Sequence, residues 1–93
     1  FNAMGGVGCI SVTANVAPRL CAEFQAATLE GRWPEVLALA DRLYLLHDSM
    51  FADASPGPAK YALSRVRPGF PQELRLPLTP ASEAARVKVD AGL

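Results

Sequence analysis

Cysteine and histidine are scarce in this chain. The 93 residues contain two cysteines and one histidine. Cys9 and Cys21 do not form a C-x-x-C pair, and the single His47 cannot complete a set of metal ligands with them. Both thiols are expected to be buried and reduced, packing as small hydrophobes. A disulfide between them requires their positions to converge. Neither sign of charge is in excess: nine basic residues face nine acidic ones, a formal net charge of zero. The chain has no basic block of the kind that binds nucleic acid and no like-charge run that would form a disordered tail. It also has no apolar run approaching the ~20 residues needed to span a bilayer. No nucleic-acid or membrane partner is therefore expected. The N-terminus lacks the basic start, apolar middle and small-residue cleavage site of a secretory signal. A cytoplasmic location is expected, and this also suits reduced thiols. The first methionine is Met4, inside a helix-end pattern, so Phe1 is not expected to be a natural start.

Apolar residues are plentiful, at 51%, enough for the core of one small domain. Phe1 to Met4 reads as the last turn of a helix, ended by Gly5 and Gly6. Val7 to Val12 reads as a strand. Its apolar residues are nearly continuous rather than alternating, as in a parallel strand covered on both faces. Gly8 removes a side chain where another group must come close. Thr13 to Ala17 form a turn. Pro18 opens a helix to about Glu30, with Leu20, Cys21, Phe24, Ala27 and Thr28 on its apolar face, and Gly31 ends it. Pro34 opens a second helix, to about Phe51. Val36, Leu39, Ala40, Leu43, Leu46 and Met50 form one stripe. Leu37, Tyr44 and Phe51 widen it, which implies neighbours on more than one side. A third helix is expected near 58–66. A proline-punctuated stretch follows, and then a last helix near 80–91 with Thr79 as its N-cap and Pro80 at its first position.

A lone buried parallel strand exposes unpaired donors and acceptors on both edges. Its partner strands are therefore expected in sequence outside these residues. The chain reads as the last strand–helix unit of a parallel α/β protein followed by a helical extension.

Particular segments carry a resemblance. GGVGCISVTANVAPR, the RL-x-x-LH pattern at Arg42, Leu43, Leu46 and His47, PAKYAL at Pro58 to Leu63 and LRLPLTP at Leu74 to Pro80 resemble the dihydrodipicolinate synthase/N-acetylneuraminate lyase family of pyruvate-dependent class I aldolases. The likeness covers nearly the whole chain. FADASPGPAK departs from the family's pattern: Gly57 stands where a bulky apolar residue is common, and Ala54 where proline is frequent.

The resemblance implies an α/β protein with a (β/α)8 barrel and a C-terminal helical domain. A complete barrel takes roughly 250 residues. This chain, mostly α, would supply the last strand and helix of the barrel and the domain after it. Residues 1–31 would hold the end of helix 7, strand 8 and helix 8, and residues 32–93 the helical domain. The resemblance further implies a lyase that joins pyruvate to L-aspartate 4-semialdehyde in lysine and diaminopimelate biosynthesis. A lysine Schiff base would carry the reaction, without a cofactor. The Schiff-base lysine, a tyrosine and threonines would all lie upstream of Phe1, leaving no catalytic residue in these 93 and making them inactive alone. The backbone carbonyl of Ile10 would border the pyruvate site, with Gly8 keeping the approach open. The implied partners are the remainder of the barrel and further copies in a homotetramer. The alternatives are another pyruvate-dependent aldolase of the same family and a stand-alone helical interaction module. Lys60, at the start of a helix, reads as a structural or surface lysine, and His47 as a helix-surface or domain-packing histidine.

Overall fold

The computed structural model describes residues 1–93. It contains four α-helices: α1 (Pro18–Leu29), α2 (Trp33–Ser49), α3 (Gly57–Val66) and α4 (Glu83–Gly92). Two short 3-10 turns, Asn2–Met4 and Thr13–Asn15, precede them. No helix is long and apolar enough to cross a membrane.

The first turn matches the expected helix end. Gly5 stops it with φ 103° and returns its N–H to the Asn2 carbonyl. The expected strand at Val7 to Val12 is absent, which is a correction. Val7 to Ser11 carry no regular element, and Val12 is already helical at φ −65°, ψ −44°. The reason is that a strand is defined by its ladder, and no second strand exists in this chain to form one. No backbone N–H from Val7 to Ile10 donates, and no carbonyl from Val7 to Ser11 accepts, a hydrogen bond within the chain. The side chains there are exposed too, Val7 at 85% and Ile10 at 107%.

α1 begins with proline in its first turn, where a missing N–H is harmless. It ends in a Schellman motif: Arg32 N–H reaches the Ala27 carbonyl at 2.9 Å and Gly31 N–H the Thr28 carbonyl at 3.3 Å. Gly31 sits at φ 72°, a conformation that penalises any residue with a Cβ. The short connection turns the chain straight into α2.

α2 is the centre of the molecule. Val36, Leu39, Leu43, Leu46 and Met50 are all buried and alternate three and four residues apart, so they form one seam. At one end of the seam, Val36 and Leu39 pack with Ala27, Leu20 and Phe24 of α1. At the other end, Leu46 and Met50 pack with Val16, Ala59, Ala62 and Val89. Leu37, Tyr44 and Phe51 lie outside the seam and remain exposed. The neighbour expected for that wider face is not in this chain.

The last helix starts later than expected, which is a second correction. Thr79 and Pro80 carry no regular element, and the N-cap is Ser82, whose Oγ accepts from Ala85 N–H at 3.2 Å. Two contacts delay the start. Ala81 is buried beside Gly57, where a Cβ would stand 3.4 Å from Ala81 N and Thr79 O. Asp53 Oδ2 accepts the Ser82 N–H at 2.7 Å, anchoring the cap from the far side of the α2–α3 break. α3 and α4 are further tied at the surface. Tyr61 OH donates to Asp90 Oδ2 at 3.0 Å, Arg65 Nε to Asp90 Oδ1 at 3.1 Å, and the Arg86 guanidinium lies 5.3 Å from the Tyr61 ring centre. Burial, reinforced by the Asp90 bond, pushes the Tyr61 hydroxyl above its ordinary range.

α4 crosses α2 at close range. A Cβ on Gly92 would stand 2.9 Å from Leu46 N and 3.0 Å from Leu45 C, which are backbone atoms that cannot step aside. Gly92→Ala in the full-length protein is therefore expected to destabilise it by about 1–3 kcal/mol, read by urea unfolding. An unchanged midpoint would show that the helices do not meet there. The Asp53 cap gives a pH-dependent prediction. The hydrogen bonds from Ser82 hold the Asp53 carboxyl below its ordinary value, more than burial raises it. Its folded form therefore binds its proton more weakly than the unfolded form. The resulting stability is fully present above the ordinary carboxylate pKa of about 4 and is lost as pH falls through the lower folded value. Wild type should lose more stability than Asp53→Ala on acidification below that point, measured by thermal unfolding across the acid range.

Candidate functional site

The extended segment and the turn after it form one edge of the molecule. Gly8, Cys9 and Ile10 lie in the segment. Gly8 has φ 153°, which a side chain would disfavour, and a Cβ there would meet no atom of this chain within 4 Å. No residue of these 93 therefore makes the close approach expected at Gly8. Ile10 is fully exposed, and its carbonyl, with no partner in the chain, can accept hydrogen bonds from a ligand or a neighbouring strand.

Directly behind this segment lies a cleft of about 310 Å³ between the segment, α1 and α2. Cys9, Ser11, Cys21, Phe24, Leu43 and His47 line it. Both thiols are free, Cys21 buried and Cys9 exposed. The expectation of two buried thiols holds for Cys21 only. Cys9 is exposed because the segment that carries it has no covering layer in this chain. Burial pushes the Cys21 thiol above its ordinary value, partly opposed by a hydrogen bond with Ser11 and assisted by Cys9 nearby. Cys21 is thereby a poor nucleophile at neutral pH.

The turn after Ile10 is laced by local bonds. Asn15 N–H donates to Val12 O at 3.1 Å, while Val16 N–H and Ala17 N–H both donate to Thr13 O at 2.9 Å. The Thr13 side chain faces inward, 2% exposed. Its Oγ1 lies 2.7 Å from His47 Nδ1 on α2. The sequence points to His47 only as a helix-surface or domain-packing histidine and gives no link to Thr13. The two are 34 residues apart, and neither helical nor strand periodicity links them.

Lys60 lies on α3. Its Nζ donates to the Glu73 carbonyl at 2.5 Å, pinning the proline-rich stretch to the helix. This agrees with a structural lysine. No three His, Cys, Asp or Glu side chains converge to hold a metal. The one hydroxyl–imidazole pair at the cleft is Thr13 with His47.

The sequence model of the dihydrodipicolinate synthetase family matches residues 1–93. The chain is 66% identical over its whole length to the 4-hydroxy-tetrahydrodipicolinate synthase of Rhizorhabdus wittichii and spans 32% of that protein. It is 61% identical over its whole length to the same enzyme of Zymomonas mobilis, again spanning 32% of it. Among solved structures, dihydrodipicolinate synthase from Thermotoga maritima superimposes with a TM-score of 0.86 at 37% identity, over 95% of this chain and 30% of that one. A dihydrodipicolinate synthase described as a monomeric variant superimposes with a TM-score of 0.85 at 37% identity, over 95% of this chain and 29% of that one. The chain thus spans about a third of the length of the relatives it matches. With the family's sequence pattern running from Phe1 to Leu93 and the same helical arrangement in solved members, this chain belongs to the dihydrodipicolinate synthetase family.

Proposed function

We propose that the chain works as the C-terminal part of a lyase that condenses pyruvate with L-aspartate 4-semialdehyde through a lysine Schiff base, in lysine and diaminopimelate biosynthesis. The observation that carries the proposal is the segment Val7 to Ser11, apolar, extended and unpaired along its backbone. A backbone that offers hydrogen bonds on both edges satisfies them when neighbouring strands add to it. In this proposal the segment is the last strand of a (β/α)8 barrel, α1 is the barrel's last helix, and residues 32–93 form a helical domain packed behind it. The sequence likeness to 4-hydroxy-tetrahydrodipicolinate synthases supports this choice within the family.

In such a barrel, active sites sit at the C-terminal ends of the strands, where the loops begin. Ile10 is next to last in the segment, so its carbonyl stands at the mouth and borders pyruvate, with Gly8 deeper in the same strand. The residues that form the Schiff base and move protons belong to other strands, outside Phe1 to Leu93. Lys60 and Lys88 take no part. The enzyme works in the cytoplasm.

Exposed Leu37 and Tyr44 on α2 and Phe51 just past its end recur every seven residues and are available to cover a neighbour. We assign this stripe to self-association of the full enzyme, a homotetramer.

Two measurements test these assignments. Borohydride reduction of the full-length enzyme in the presence of pyruvate, followed by peptide mass mapping, should place a covalent adduct on a lysine outside residues 1–93, and Lys60→Arg with Lys88→Arg should leave it unchanged. An adduct on Lys60 or Lys88 would overturn the assignment of roles, and no adduct at all would remove the aldolase reading. Tyr44→Glu should shift the full-length enzyme to a smaller species in sedimentation velocity, whereas an unchanged coefficient would assign the stripe to contacts within one subunit.

A further inference from the structure

We infer that His47 is a positioning residue for pyruvate binding: through its hydrogen bond to Thr13 it sets the direction in which Ile10 presents its backbone carbonyl. This role rests on the function proposed above, in which that carbonyl borders pyruvate. Neither His47 nor Thr13 touches the substrate.

The turn from Ser11 to Ala17 is rigid within itself. Ala14 N–H donates to Ser11 Oγ at 3.1 Å, and Asn15 adds both its backbone N–H and its side-chain amide to the Val12 carbonyl, at 3.1 and 3.0 Å. Val16 and Ala17 close onto Thr13 O. These bonds hold the turn's shape, and the Ala17 carbonyl, which accepts the Cys21 N–H at 3.1 Å, joins its end to α1.

Two kinds of contact fix the orientation on α2. One is apolar: Val16 and Val12 pack in the cluster of Leu46 and Met50. Such packing resists separation but is not directional, so it leaves the turn able to rock about Val16. The other is the bond from Thr13 Oγ1 to His47 Nδ1 at 2.7 Å. A hydrogen bond of that length is directional. It joins the first residue of the 3-10 turn to the helix position next to Leu46. It is also the one hydrogen bond between the turn and α2.

Ile10 lies three residues before Thr13, so it sits on a lever of at most about 10 Å. A small rotation of the turn reaches Ile10 as a displacement on the ångström scale. A displacement of about 1 Å takes a carbonyl out of the range of roughly 2.7–3.2 Å in which it accepts a good hydrogen bond. Thr13 is buried and His47 is its side-chain partner, so losing either member removes the turn's one hydrogen bond to α2 and the directional restraint that it supplies.

The test uses the full-length enzyme and steady-state kinetics with both substrates. Thr13→Val removes the hydroxyl at constant shape, and His47→Phe keeps a ring but removes the bond. His47→Asn restores a polar atom near the position of Nδ1, and Thr13→Ser retains the hydroxyl. Loss of one hydrogen bond is expected to raise the pyruvate KM about tenfold in Thr13→Val and His47→Phe. kcat and the KM for L-aspartate 4-semialdehyde should stay within about threefold, allowing for the usual spread of such measurements. The double variant should be no worse than either single one, because one bond cannot be lost twice. His47→Asn and Thr13→Ser should recover most of the pyruvate affinity. Thermal unfolding of each variant separates this from general damage. If His47→Phe does not fold, the contrast between Thr13→Val and Thr13→Ser reads the same bond. A wild-type pyruvate KM in folded Thr13→Val and His47→Phe, or penalties that add in the double variant, would overturn the positioning role while leaving the aldolase function standing. Failure of the wild-type enzyme to turn over pyruvate would instead remove the proposed function, and the positioning role with it.

Discussion

One seam on α2 holds the molecule together. Leu39, Leu43, Leu46 and Met50 recur at three- and four-residue intervals, and α1 covers one end of that line while the turn, α3 and α4 cover the other. Full burial of a side chain of this size contributes about 1.5–3 kcal/mol. Leu43 at 1% and Met50 at 0% exposure realise that contribution. All three neighbouring helices pack along this line. Gly92 shows how tightly it is used, because only the absence of a side chain lets α4 approach the α2 backbone.

The same seam reaches the exposed edge formed by Val7 to Ser11 and the turn after it. Leu46 anchors the apolar cluster that receives Val16, and the next residue, His47, holds Thr13. A helix that organises the helical part thereby also orients the turn that follows Ile10. Apolar contact supplies adhesion here and a hydrogen bond supplies direction, which are separate physical tasks. The local bonds of the turn perform neither. They keep its shape while the two contacts with α2 decide where it points.

Two surfaces are left uncovered by these residues. One is the extended segment from Val7 to Ser11, with its backbone groups unpaired. The other is the exposed stripe of Leu37, Tyr44 and Phe51. They differ in what they need. The segment needs hydrogen-bonding neighbours, because an unpaired backbone group loses free energy wherever water is excluded. The stripe needs only apolar contact. The chain spans about a third of the length of the relatives it matches, and nothing within these residues meets either need.

Much of the helical pattern was legible in the residues. The spacing of Val36, Leu39, Leu43, Leu46 and Met50, the prolines that open α1 and α2, and glycine at position 31 are local signals, and they marked those helices to within about two residues. The isolated apolar run at Val7 to Val12 was equally legible as a segment lacking partners. It does not form a strand here because strand character belongs to the ladder, which no single segment contains. The start of α4 was misplaced at Pro80, since proline and threonine give a strong local signal, yet the Asp53 carboxylate and the buried Ala81 move the cap to Ser82. The exposure of Cys9 and the pairing of Thr13 with His47 had no local signal at all. Periodicity determined which faces are apolar and where the helices turn. Only tertiary structure decided which of those faces find a neighbour and which distant polar atoms meet, because such contacts depend on how whole elements stack rather than on the residues beside them.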